Sequence, residues 1–203
     1  VTHLATDLLV LHTLRCIGFA GTARIAATAG LSEADAESEL IDLAVTGLVT
    51  HQAGEFGGWG LTASGRAADA ERITGELEAA AARPALTAAF DGFLVLNPEL
   101  LDLCTAWQLR SVDGVVVAND HSDQSYDDRV LDRFTDFHRR AVVVLDEISA
   151  ALPRFGRYRF RLADALQRAT CGASEYLTDD IASYHAVWAE LHEDLLATLG
   201  IPR

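Results

Sequence analysis

Apolar residues recur at helical spacing from the start of the chain. Leu4, Leu8, Leu11, Leu14 and Ile17 mark one face of a helix over residues 4–17, and Gly18 stops it. Gly21-Thr22 then opens a short helix from Ala23 to Thr28 that ends at Gly30. Ser32 is placed to cap a third helix, with Asp35 three residues on. Ala36, Leu40, Leu43 and Ala44 form the apolar stripe of that helix, and Gly47 closes it. From there the period changes. Residues 48–53 read as a strand, 54–58 as a glycine-rich turn and 59–62 as a second strand. Thr62 or Ser64 then caps a long Ala/Glu-rich helix that reaches about Ala82.

Arg83-Pro84 predicts a boundary, because the residue before a proline is pushed away from helical geometry. Beyond it the spacing is helical again. Helices are predicted over 85–96, over 97–110 with Asn97 as cap and Pro98 in the first position, and over 126–152, 157–171 and 179–199. Residues 111–124 read as irregular, with Val115-Val116-Val117 as a brief strand. The predicted fold class is therefore mainly α. Residues 1–83 form helices with a two-stranded hairpin, and residues 84–203 form a helical bundle.

Three phrases give the first domain a family likeness. Ala26-Ala27-Thr28-Ala29-Gly30-Leu31-Ser32, Leu43-Ala44-Val45-Thr46-Gly47-Leu48-Val49 and Leu61-Thr62-Ala63-Ser64-Gly65-Arg66 follow one another at fixed separations. In that order they resemble the helix-turn-helix, the approach to the wing and the exit from the wing of bacterial MarR-like regulators. The resemblance covers residues 4–82. It implies a winged helix-turn-helix, transcription regulation, DNA binding and a homodimer. Further on, Asn119-Asp120-His121-Ser122-Asp123 and the segment from Ser183 to Leu195 resemble a helical domain of actinobacterial proteins. Some of those are labelled regulators, and others are attached to phosphoenolpyruvate- or pyruvate-utilising phosphotransfer enzymes.

Charge complicates the DNA reading. The chain of 203 residues carries 16 basic and 30 acidic side chains, a formal net of -14, and every basic one is arginine. Residues 25–65 hold no arginine at all, against Glu33, Asp35, Glu37, Glu39, Asp42 and Glu55. Affinity for nucleic acid rests largely on cations set against phosphates. The candidate DNA contacts reduce to Arg24, Ser38, His51 and Arg66, with the wing over residues 51–59. The other reading is an interaction module that does not bind DNA. Its acidic third helix would meet a basic protein surface, for instance on a phosphotransfer enzyme.

The second domain offers a candidate ligand site. Arg154, Arg157, Arg161 and Arg168 follow a near-helical spacing, and those from Arg157 onward share a face that could clamp a small anion. The alternative is pairing with acidic faces such as Asp132 and Asp136. Ile181, His185, Trp188, His192, Leu195 and Leu199 fall on one stripe of the last helix. Arg157, Arg161, His185, Trp188 and His192 are thus the expected ligand contacts. Seven residues put the two histidines about 10.5 Å apart along the axis, too far for one metal ion. The oxygen-rich loop 119–128 lacks the glycine and the terminal glutamate of a calcium-binding EF-hand loop, and capping by Ser125 or Asp123 accounts for much of it.

No metal, cofactor or catalytic residue is expected. No nucleotide-binding or hydrolase motif occurs, and Cys16, Cys104 and Cys171 lie too far apart in sequence for a metal knuckle. Cys104 sits in an apolar run and reads as a small core residue. Unpaired cysteines suit a reducing, cytoplasmic setting. No apolar run approaches the roughly 18 residues of a membrane span, so no membrane partner is expected.

Overall fold

The computed structural model describes residues 5–54 and 56–202. Leu4 and Glu55, both used in the sequence reading, lie outside the described residues. The chain is mainly helical with two separate two-stranded antiparallel sheets. It forms two compact units. One comprises Val1–Arg83 with Glu190–Arg203, and the other Pro84–Ala189.

The first unit contains α1 (Thr6–Ile17), α2 (Thr22–Ala29), α3 (Glu33–Val45), β1 (Val49–Gln52), β2 (Gly58–Leu61) and α4 (Ala63–Ala79). Its core joins Val10, Leu11 and Leu14 of α1 to Ile25 of α2, Leu40 and Leu43 of α3, and Val49 and Trp59 of the hairpin. Each boundary has a local cause. The Ser32 hydroxyl accepts from the Asp35 amide at 3.1 Å and donates to the Asp35 carboxylate at 2.6 Å, which fixes the start of α3. Gly30 ends α2 in the left-handed region at φ 73°, where a side chain would be strained. Thr62 caps α4 by accepting from the Gly65 amide at 2.9 Å. Its hydroxyl also donates towards the Gly47 and Leu48 carbonyls, at 2.8 and 3.1 Å. A single residue thus ties the hairpin's exit to its approach.

The second unit contains most of α5 (Arg83–Gln108), then β3 (Leu109–Val112), β4 (Val115–Ala118), α6 (Gln124–Ala151), a 3₁₀ turn over Pro153–Phe155, α7 (Gly156–Thr170) and α8 (Glu175–Thr178). The final helix, α9 (Tyr184–Leu199), begins in the second unit, and from Glu190 onward it belongs to the first. Aromatic rings fill this unit's core. Trp188 stacks on Phe93 with centroids 4.5 Å apart and meets Phe137 edge-on at 5.3 Å.

Three predicted elements differ in the structure. α5 runs unbroken through Pro98, because Asn97 does not cap a new helix. Its side-chain oxygen instead accepts from the Trp188 indole nitrogen at 3.0 Å. Residues 109–118 form a hairpin whose turn, Asp113-Gly114, has φ 51° and 80°, the two positive values of a tight type I′ turn. The last helix starts at Tyr184 rather than 179. The Asp180 carboxylate accepts from the Ala182 amide at 2.7 Å and closes a turn there.

Candidate functional site

In the first unit α3 presents two faces of opposite character. Ala36, Leu40 and Leu43 are buried. At 100° per residue the opposite face centres on Ala34, Ser38, Ile41 and Val45, all exposed. Ile41 is 50% and Val45 83% accessible, so the C-terminal part of that face is apolar. Glu37 flanks it on one side, Asp35 and Asp42 on the other, and all three are exposed.

The cations of this unit differ in how far they are engaged. Arg24 lies on α2, half-buried, with its guanidinium 3.6 Å from the buried Glu190. Arg15 of α1 donates to Glu193 at 2.8 Å. Ser38 is exposed at the middle of α3, as a contact residue would be. His51 on β1 is exposed, but its ring leans on Trp59 with centroids 4.5 Å apart. Arg66, near the start of α4, is exposed, and among the described residues its guanidinium donates to the Leu61 carbonyl at 3.4 Å. Of the four candidate contacts, only Ser38 and Arg66 are exposed without being held by a charged or aromatic partner.

A second cluster lies at the heart of the same unit. His12 of α1 is wholly buried. Its Nδ1–H donates to Asp69 of α4 at 2.9 Å, and its Nε2–H donates to Asp194 of α9 at 2.9 Å. Both carboxylates are buried as well. A ring that donates from both nitrogens is an imidazolium. Burial opposes that charge. The Cys16 sulfur and the Asp194 and Asp69 carboxylates outweigh burial and hold the His12 pKa well above its ordinary value. Thr198 donates to the same Asp194 oxygen at 3.1 Å. Cys16, one helical turn after His12, places its sulfur 3.7 Å from Nε2.

Of these five residues only Cys16 is singled out in the sequence, where nothing assigns it a partner; His12, Asp69, Asp194 and Thr198 are not. The available signal was an aspartate at a core position. Gly65, Asp69, Ile73 and Leu77 repeat every four residues along α4 and are all buried. Asp194 likewise sits between the buried Leu191 and Leu195. A carboxylate on an apolar stripe needs a buried partner, and His12 on the stripe of α1 is that partner.

Four of the five predicted ligand residues, Arg157, Arg161, His185 and Trp188, belong to the second unit. Trp188 is 2% accessible and belongs to the core, not to a ligand-facing surface. The Arg157 guanidinium lies over the Tyr158 ring at 4.9 Å and donates to its hydroxyl at 3.2 Å. Arg161 approaches the same ring at 5.9 Å. Arg168 pairs with Asp164 at 2.7 Å and Arg159 with Asp146 at 3.1 Å. His185 and His192 are half-buried and fall in different compact units.

The loop 119–128 engages much of its own oxygen. Asp123 caps α6 by accepting from the Tyr126 amide at 3.0 Å. Asp127 accepts from Asn119 at 2.8 Å and from His121 Nδ1 at 3.0 Å. Asp120 accepts from Arg110 and Ser122, each at 2.7 Å.

Comparison with protein-family models, with curated proteins and with solved structures finds no match to this chain.

Proposed function

We propose that the first unit is a winged helix-turn-helix used as a protein-docking module, with the exposed face of α3 receiving an amphipathic basic segment of a partner. The order of three helices, hairpin and helix supports the winged-helix reading. The observation that carries the docking reading is the exposed apolar pair Ile41 and Val45, with Glu37 on one side and Asp35 and Asp42 on the other. A helix that reads DNA sets cations against phosphates. α3 offers five carboxylates and no arginine, and Arg24 and Arg15 lie against Glu190 and Glu193. An apolar stripe rimmed by acid is complementary to a helix with an apolar stripe rimmed by Lys or Arg.

Titration of the full chain with a synthetic Leu/Lys amphipathic helix, followed by amide NMR, tests this. Saturable shifts confined to α3 are expected, and a Leu/Glu peptide of the same pattern should give none. Ile41→Asp with Val45→Asp should weaken the interaction at least tenfold; both positions are exposed, so the fold should be kept. The same chain should leave duplex DNA from upstream of its own gene unretarded at low salt. Retardation that fades with added salt would restore the DNA reading and sink the docking one.

A further inference from the structure

The buried cluster of His12, Cys16 and Asp194 has the makings of a metal site. All three belong to the first unit. Their ligand atoms, one imidazole nitrogen, one thiol sulfur and one carboxylate oxygen, lie within 4.8 Å of one another. Nε2 is 2.9 Å from the Asp194 oxygen and 3.7 Å from the Cys16 sulfur. With the third separation at its upper limit, a point equidistant from the three atoms is about 2.4 Å from each. Zinc bonds are about 2.3 Å to sulfur and about 2.0–2.2 Å to nitrogen and oxygen. Movements of a few tenths of an ångström would therefore complete the coordination.

The surroundings match as well. His12 and Cys16 are four residues apart on one helix, the spacing that puts two ligands on one face. Asp69 holds the far ring nitrogen at 2.9 Å, the arrangement in which a carboxylate orients a metal-bound histidine. Thr198 steadies the Asp194 carboxylate. His12 and Asp194 are fully buried, whereas Cys16 is half-buried, so an ion and a fourth ligand would arrive past Cys16.

We propose that His12 Nε2, Cys16 Sγ and an Asp194 carboxylate oxygen bind one zinc-like divalent ion, with Asp69 as the positioning residue behind the ring. A mixed nitrogen, sulfur and oxygen set selects a borderline transition metal over magnesium or calcium. On binding, the ion replaces the proton on Nε2 and the proton on the thiol, and both leave to solvent. Asp69 keeps its hydrogen bond from Nδ1.

Cobalt(II) is the probe, because a cobalt–thiolate bond gives a near-ultraviolet charge-transfer band that zinc does not. The full chain, stripped with chelator, should take up one equivalent of cobalt with that band, and zinc should displace it. Cys16→Ser should abolish the band and weaken uptake at least tenfold. The exposed Cys171→Ser should change neither. Asp69→Asn should keep the band and weaken binding about 10- to 100-fold. Circular dichroism would confirm that each variant is folded, and Cys16→Ala is a second route to the same comparison. No saturable one-to-one uptake by the parent chain overturns the proposal and leaves the cluster as a buried ion pair. A band that persists in Cys16→Ser overturns it too, by assigning the thiolate elsewhere.

Discussion

Tyr184 and His138 fix each other's protonation in the second unit. Burial pushes the Tyr184 phenol far up, with Cys104 adding to the shift, so the hydroxyl stays a donor. His138 Nδ1, 3.0 Å away, is then the acceptor, which requires a neutral ring. The same conclusion follows from His138 itself, whose pKa is lowered by burial and then by Arg159. The folded ring takes a proton less readily than the unfolded one. The unfolded chain therefore binds more protons as pH falls below about 6.5. The stability this ring supplies is whole above that value and declines below it. The difference in denaturation midpoint between the parent chain and His138→Gln should shrink from pH 7.5 to pH 5.5, other titrating groups being common to both. A difference that stays constant would place the ring's proton elsewhere. The cysteines give a second contrast. Burial pushes the Cys104 thiol up to about 12, so it holds almost no thiolate at pH 8. Iodoacetamide followed by peptide mapping should mark the exposed Cys171 in the folded chain. Cys104 should react only after unfolding.

Two glycines in α4 separate what a sequence motif means from what composition means. A Cβ on Gly65 would run into the Leu48 carbonyl, where the start of α4 passes the approach to the hairpin. A Cβ on Gly75 would meet nothing within 4 Å. Gly65→Ala should therefore cost about 2 kcal/mol or more, by forcing backbone apart. Gly75→Ala should stabilise by about 1 kcal/mol, the ordinary gain from replacing glycine within a helix. Opposite shifts of the thermal midpoint would confirm both, and a gain at Gly65 would mean that the close approach is absent. Gly65 lies in a phrase that the sequence marks, and Gly75 does not. Elements stabilised by nearest neighbours were legible in this way: the Ser32 cap, the Thr62 cap and the Gly30 stop all lie where local chemistry puts them. Elements decided at a distance were not. Asn97-Pro98 has the local form of a helix start, yet the Trp188 indole, 91 residues away, takes the side chain that would have capped it. Of the β3–β4 hairpin the sequence shows only the brief strand at Val115-Val116-Val117, because the exposed valines lack the alternation that marks a half-buried strand and β3 carries no such run.

At the scale of the whole chain, helical periodicity cannot say which core a helix completes. The stripe of α9 reads as one surface, but its residues from Glu190 onward belong with residues 1–83. That assignment has energetic content. Asp194 takes one of the two hydrogen bonds of a wholly buried imidazolium, Glu193 meets Arg15 at 2.8 Å, and Glu190 lies near Arg24. The Leu199 carbonyl accepts from Arg83 at 3.1 Å. The candidate metal cluster was illegible for the same reason, because 182 residues separate His12 from Asp194. Ending the chain after Ala189 removes Asp194 and leaves Asp69 as the remaining carboxylate on a buried charged ring. Removing one partner of a buried ion pair costs about 3–5 kcal/mol, a large share of the total stability of an ordinary domain. The truncated chain should therefore show its amides over residues 5–83 exchanging with solvent far faster than in the full chain, with protection retained over 84–189. A peptide of residues 190–203 added in excess should restore protection over 5–83, because binding only the folded form stabilises it by mass action. Full protection of residues 5–83 without the peptide would mean that the first unit is complete on its own and that the last turns of α9 merely rest against it.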